Sequence, residues 1–330
     1  MIKRSYRDDV VETGSDYSEL RISEIKRSLE RKGYGIVVLK YPFKRRSVDI
    51  IVEKKALIKI TRDSLDIHDE EYRDLIASRA LLGVSSLVVS EKIEGEDVEP
   101  GIIHEKKNVS IVDTKTFLSF INNEKIFIYQ WRGSFYVRIN SERLRRERER
   151  RGMSIGEVAD RIGVSRKTVY EYERGLMDPE IDHAEKLVEL LGEDIIGEID
   201  LFSEKLYNFD KEKLINKLMT VSSKEDKIVK KIIDRGAKAI RIRRTAPDII
   251  GVFRNNLFTI TRISLREMAE TEMRRKLFDA LKFSQYTGCK PYIVSDKHGE
   301  LYIDEINEST DAEIVNIRDV EKHIITDLSK

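Results

Sequence analysis

The side chains best suited to chemistry lie between Ser154 and Arg174, and they are hydrogen-bond donors rather than nucleophiles. Ser165, Arg166, Lys167 and Tyr170 crowd into one short stretch. Arginine and lysine there could donate to guanine edges, Tyr170 could meet a phosphate or a thymine methyl, and Ser165 could donate to a phosphate. Arg161 and Arg174 are available to phosphates, and Ser154, Thr168 and Glu171 complete the candidate DNA-binding surface. Catalytic sets are missing by comparison. The single Cys289 excludes an intramolecular disulfide and any CxxC zinc module, and His68, His104, His183, His298 and His323 are scattered without metal-ligand spacing. There is no GxxxxGK[ST] phosphate loop and no Ser/His/Asp set that can be placed, so no catalytic residue, cofactor or metal is expected.

Two short helices must carry those donors. Ser154 and Glu157 have the spacing of a capping box, and Ile155, Val158, Ala159 and Ile162 then share one face. Gly163 stops the first helix, Ser165 caps a second that buries Val169 and Tyr172, and Gly175 ends it. Ala159 is small where the helices would cross, and Gly163 sits where the turn needs a permissive backbone. This is a helix-turn-helix, with Ser165 to Tyr170 at the end that points into the major groove.

Residues 141–191 resemble the DNA-binding domain of the Cro and lambda-repressor (Xre-like) family. The likeness includes the Glu173-Arg174-Gly175 ending, Pro179, and a following helix with Ala184, Leu187, Val188 and Leu191 inward. It implies a compact helical domain. Ile155 departs from the pattern, standing where many members have a glutamine that contacts phosphate.

The 330 residues suggest two or three domains, and 40% apolar residues supply real cores. Charged residues reach 37% but balance at net +1, so the molecule is no general polyanion binder. A local patch must do that work: between Ser141 and Gly175 ten Arg or Lys face seven Asp or Glu, a surplus carried mostly by Arg143, Arg145, Arg146, Arg148, Arg150 and Arg151. No apolar run approaches about 18 residues and the start Met1-Ile-Lys-Arg lacks a signal core, so a cytoplasmic location without membrane contact is expected.

The chain also repeats. Ser47-Val-Asp-Ile-Ile51 recurs as Ala246-Pro-Asp-Ile-Ile250, Ile60-Thr-Arg62 as Ile260-Thr-Arg262, Ser64-Leu65 as Ser264-Leu265, and Val88-Val-Ser90 as Ile293-Val-Ser295. The order is kept, with one hairpin residue gained or lost. Each copy reads as a helix ending at Gly33 or Gly236, three strands (35–40, 48–53, 56–61; 239–243, 248–253, 257–261), an amphipathic helix, an apolar strand (86–90; 291–295) and a last short strand (109–112; 314–317). The order αβββαβ resembles the restriction-endonuclease-like core, including the archaeal Holliday-junction resolvase type. That resemblance implies an Asp on the second strand and a Glu-x-Lys on the third, holding a metal that activates water. Asp49 and Asp248 match the first element. Leu57-Ile58-Lys59 and Leu257-Phe258-Thr259 fail the second, so both copies are read as catalytically silent.

Between the first copy and the helix-turn-helix, runs on either side of Arg132-Gly133 make a hairpin. Its aromatics, Phe127, Tyr129, Trp131, Phe135 and Tyr136, could stack on single-stranded bases, but packing on a neighbour is the expectation. The expected fold is two α/β end domains (duplicated αβββαβ, restriction-endonuclease-like) around a central all-α helix-turn-helix domain. The divisions are 1–125, a hairpin connector 126–140, the DNA-binding domain 141–193, a helical connector 194–223, and 224–330. This arrangement resembles an archaeal family of helix-turn-helix transcriptional regulators. A sequence-specific regulator of double-stranded DNA is expected, not an enzyme, acting as a homodimer joined through the end domains or the hairpin. The rivals are a nuclease targeted by the helix-turn-helix and a protein-binding scaffold.

Overall fold

A computed structural model describes residues 14–203, 210–264, 268–295, 312–316 and 320–329. Leu265, His298, Ile317 and the apolar residues at 206–209 lie outside them.

The first half opens with α1 (Gly14–Arg31), whose Ile22, Ile25 and Leu29 recur at helical spacing and are buried. It covers one face of a sheet built from β1 (Ile36–Val38), β2 (Ile50–Val52), β3 (Ala56–Asp63) and, after α2 (Asp69–Leu82), the parallel β4 (Ser85–Ile93). Both faces of β3 and β4 are covered, which is why they read as apolar runs without alternation. The sheet continues through β5 (Glu96–Asp97) on β4, β6 (Ile102–Lys106) and β7 (Val109–Val112), with α3 (Thr114–Ile121) following.

The aromatic hairpin, β8 (Ile128–Trp131) and β9 (Ser134–Val137), was expected as a separate connector. It instead extends this sheet, β8 lying parallel to β6, because β6 would otherwise leave a row of unpaired amides and carbonyls. Tyr129 lies in the first domain's core with Trp131 and Tyr136 packed against it, and Tyr129 and Tyr136 stack at 5.5 Å, so these three pack on the neighbouring domain as expected. Asp178, on the far side of the helix-turn-helix, accepts from Tyr129 Oη at 2.9 Å and from the Ile139 amide at 3.0 Å, clamping the helical domain to the hairpin.

That domain comprises α4 (Ser141–Arg150), α5 (Ile155–Ile162), α6 (Arg166–Glu173) and α7 (Ile181–Leu191). The chain then returns to the first domain. Phe202 meets Tyr34, Phe117 and Phe120 edge-on, so the start of the expected helical connector is part of the first domain's packing.

The second half repeats the order with α8 (Lys211–Glu225), α9 (Lys227–Ile233), β10 (Lys238–Arg241), β11 (Ile249–Phe253), β12 (Asn256–Ile263), α10 (Glu270–Thr287), β13 (Lys290–Ser295), β14 (Glu313–Asn316) and α11 (Val320–Asp327). Strand order β10-β11-β12-β13-β14 matches β1-β2-β3-β4-β7. The register corrects the sequence alignment in one place. Ile50 opposes Ile58, whereas Ile249 opposes Ile260, so the second hairpin is three residues longer rather than one. Ile260 therefore corresponds to Ile58, not Ile60.

The two copies do not flank the helical domain as separate bodies. They share one core, in which Val48, Leu57, Leu75 and Val88 of the first copy pack with Ile240, Ile250, Phe283 and Cys289 of the second. The junction has an internal two-fold logic. Asp74 on α2 accepts the amides of Arg243 and Arg244 at 3.1 and 2.7 Å, and Asp279 on α10 accepts those of Lys40 and Tyr41 at 2.5 and 2.6 Å. Each copy thus satisfies the backbone of the other where it leaves its first strand.

Candidate nucleic-acid interface

The helix-turn-helix is assembled by local chemistry first. Ser154 Oγ accepts from the Glu157 amide at 3.1 Å while Glu157 returns the bond to the Ser154 amide at 2.7 Å, and that donor holds the Glu157 carboxyl below its ordinary range. Gly163 turns left-handed at φ 80° and closes α5 onto the Ala159 carbonyl. Ser165 caps α6 by accepting from the Thr168 amide at 3.1 Å. The buried sides of the two helices meet over Val158, Ala159, Ile162, Val169 and Tyr172, with Leu144, Leu187 and Leu191 closing the core. Burial pushes the Tyr172 hydroxyl up to about 12.

One arginine of the basic stretch is an anchor instead of a surface charge. Arg148 was counted in the basic patch, yet its guanidinium faces inward and grips Glu173 with two bonds at 2.5 and 3.1 Å while donating to the Met153 carbonyl at 2.8 Å. Its partner Glu173 keeps the guanidinium firmly charged. Arg145 and Arg150 also pair with glutamates of their own helix, so the α4 arginines contribute less free charge than the count suggested.

Opposite this core lies the candidate surface. Ser154, Arg161, Ser165, Arg166, Lys167, Tyr170 and Arg174 are exposed, and Thr168 and Glu171 half-buried. Lys167 keeps 82% of its side chain exposed, with Glu171 3.7 Å away. Arg166 takes a different course. Its guanidinium folds over Gly156, where an added Cβ would stand 2.9 Å from Nε, so the arginine spans the starts of both helices. Ile155, in the place of the phosphate-binding glutamine, packs against the core. Arg174 covers the Tyr170 ring at 5.6 Å, and the tyrosine keeps 48% of its surface open.

Comparison with known proteins meets this geometry at two places. Residues 18–126 match the PD-(D/E)XK superfamily domain and residues 144–196 the helix-turn-helix family. A protein of Saccharolobus islandicus named "Putative HTH-type transcriptional regulatory protein" is 34% identical over 280 residues, covering 83% of this chain and 86% of its own. Proteins of the same name from Aeropyrum pernix and Saccharolobus solfataricus are each 33% identical, over 71% and 83% of this chain and 70% and 86% of their own. The chain belongs to this archaeal family of HTH-type transcriptional regulatory proteins. No solved structure matches it.

In this regulator, the nuclease-like half has lost the arrangement its superfamily is named for. Asp49 is buried, accepting from Arg46 Nε at 2.6 Å and the Ile60 amide at 2.7 Å, with Lys59 Nζ at 3.4 Å. Leu57 faces the shared core instead of the Asp. A carboxylate that the sequence reading did not find, Glu71, reaches to 3.8 Å from Lys59, but it comes from α2 and its other oxygen caps the helix at His68. Glu71 lies on α2, twelve residues beyond Lys59, so no motif spacing along the strand contains it.

In the second half the structural counterpart of Leu57-Ile58-Lys59 is Thr259-Ile260-Thr261, two residues beyond the segment chosen from sequence. Asp248 accepts from the Arg262 amide at 2.6 Å and from Lys276 Nζ, on α10, at 2.7 Å. An ammonium thus stands at each Asp. Among the described residues no group of three or more His, Cys, Asp or Glu could hold a metal ion.

Proposed function

We propose that the regulator reads duplex DNA through the N-terminal turn of α6. Lys167 reaches a base edge, Arg166 bridges the backbone and the groove, Tyr170 meets a phosphate or thymine methyl, and Ser165 donates to a phosphate. Arg161 and Arg174 meet flanking phosphates, while Ser154, Thr168 and Glu171 hold these donors in place. The carrying observation is the division of α6: Val169 and Tyr172 are fully packed inward, while Lys167 stands 82% exposed on the face that a groove would receive.

The acting species in this reading is a homodimer in the cytoplasm. One helix-turn-helix covers a single half-site, and the end domains are already occupied with each other inside the chain. Leu176, Met177 and Ile181, exposed at 50, 40 and 39% beside α6, supply an apolar patch for a second copy. In the same reading the end domains are assembly modules without nuclease activity, because Leu57 and Thr259 stand where the strand carboxylate of a metal site would be.

Footprinting on the organism's own genomic DNA supplies the operator. Lys167→Ala then weakens the operator by about 1–3 kcal/mol and blurs selectivity, whereas Arg174→Ala weakens operator and random duplex alike and flattens the salt dependence. Unchanged operator binding by both Lys167→Ala and Arg166→Ala would remove α6 as the reading element.

A further inference from the structure

Two faces of the end-domain pair that the internal symmetry makes equivalent differ in charge: one is neutralised and the other is not. On the first, the loop after β10 brings Arg243 and Arg244 to α2. Glu70 takes Arg243 Nη1 at 2.6 Å and Arg244 Nε at 2.8 Å, and Glu225 takes Arg243 Nη2 at 2.7 Å. That loop is neutralised within the molecule.

The equivalent loop after β1 carries Lys40, Lys44, Arg45 and Arg46 and is seated on α10 by the bonds from the Lys40 and Tyr41 amides to Asp279. Glu70 stands four residues before Asp74; the residue four before Asp279 is Arg275. A cation therefore replaces the neutralising carboxylate, opposite a cationic loop. Arg46 is held by Asp49 at 2.6 Å, and Arg46 and Arg275 both bear on the buried Asp279. Asp248 and Glu272, both near Tyr41, are further carboxylates at hand, and Asp248 is taken up by Lys276 Nζ at 2.7 Å. Lys44, Arg45 and Arg275 are exposed, and among the described residues none of them has a side-chain hydrogen bond or ion pair. Like charges held together in this way are relieved by an anion from outside.

The same surface exposes aromatic rings. Phe43, at the head of the Lys44-Arg45 pair, is 75% exposed, and Phe278, on the turn of α10 after Arg275, is 58% exposed with Lys282 Nζ 5.9 Å from its ring. Leaving two phenylalanines in water serves no packing purpose, and a purely phosphate-binding surface has no use for them. Free cations interleaved with open rings match a strand whose bases are unstacked and whose phosphates follow alongside. An intact duplex offers the phosphates but keeps the base faces covered.

We propose that the loop 40–46 and the exposed side of α10 form a second nucleic-acid site, for single-stranded DNA. Lys44, Arg45 and Arg275 take phosphates, and Phe43 and Phe278 stack on bases. The site is independent of α6.

The test uses the full-length protein and a fluorescently labelled oligothymidylate, read by anisotropy at several salt concentrations. Wild type should bind, with affinity falling as salt rises. Phe43→Leu/Phe278→Leu, which keeps the apolar volume but not the ring faces, should weaken binding roughly tenfold or more. Arg45→Ala/Arg275→Ala should also weaken it and lower the salt slope by about 0.7 per lost phosphate contact. Arg166→Ala/Lys167→Ala should leave oligothymidylate binding intact, which separates this site from the operator surface. The proposal is wrong if wild type does not bind oligothymidylate, or if the loop and α10 variants bind it as wild type does. It is equally wrong if those variants lose affinity only for random duplex, since the surface would then be a backbone contact of double-stranded DNA.

Discussion

Arg148 and Glu173 show how far a residue's type can sit from its role. Both look like surface charges in a stretch dense with them, yet their side chains are only 11% and 6% exposed and together they tie α4 to the end of α6. A buried pair of this kind adds little over an apolar substitute, but breaking it strands a charge in the interior. Glu173→Ala should therefore cost about 3 kcal/mol, read as a lowered thermal midpoint of the helical domain, whereas removing the exposed Arg145–Glu149 pair should leave that midpoint almost where it was. Equal effects from the two substitutions would show that Glu173 is a surface residue after all.

Asp74 belongs to the same scale. Burial pushes its carboxyl from an ordinary 3.8 to about 6, against the pull of the Ser47 hydroxyl and the Arg243 and Arg244 amides. Because the folded value is the higher one, its contribution to stability is fully present below about pH 4 and is lost as the pH rises through about 6. Asp74→Asn, which cannot ionise, should flatten that part of the stability curve in urea melts taken between those values. Parallel curves for the two proteins would exclude Asp74 as the source.

At the scale of elements, the helix-turn-helix was legible because every determinant is local. Ser154 with Glu157, Gly163, Ser165 and Gly175 act within a turn of where they stand, and the structure places each at the expected cap or terminator. What could not be read was the Arg166 guanidinium folding across to Gly156, a contact between two helices decided by the missing Cβ. Gly156→Ala should displace that side chain without harming the fold, since alanine is the better helix residue by about 1 kcal/mol. Its effect on duplex affinity should vanish when Arg166 is already alanine, a double-mutant cycle that isolates the contact. An undiminished effect in the Arg166→Ala background would mean that Gly156 acts by another route.

For the whole molecule, the chief consequence is that one core spans both end domains. Ile215, Leu218, Ile240 and Phe283 pack in the same cluster as Leu57, Leu75 and Val88, so each copy buries an apolar face against the other. The two copies should unfold in a single calorimetric transition, and a chain ending at residue 203 should aggregate or melt well below the full-length protein. Separate transitions, with a truncated chain as stable as the whole, would show that the shared core contributes little. The pairing also changes the expected mode of dimerisation. The Leu176, Met177 and Ile181 patch beside α6 is then the first place to test, and Met177→Glu/Ile181→Glu should lower the mass seen in light scattering if a dimer forms there.

The sequence by itself determined the order of elements, the duplication and the family, because caps, periodicity and repeated segments are written along the chain within a few residues of each other. It also located the retained Asp49 and Asp248 and showed that no strand carboxylate accompanies them. Only the tertiary structure decided the rest. The three-residue difference in hairpin length shifts the register of β12, which no one-dimensional match reveals when Ile-Thr-Arg occurs in both strands. The partners of each Asp come from other elements, Lys59 from β3 in one copy and Lys276 from α10 in the other. The hairpin's place in the sheet, the inward Arg148 and the common core of the two copies all rest on contacts between residues far apart in sequence. Such contacts follow from burial and from the need to satisfy backbone groups, and neither is expressed until the chain has folded.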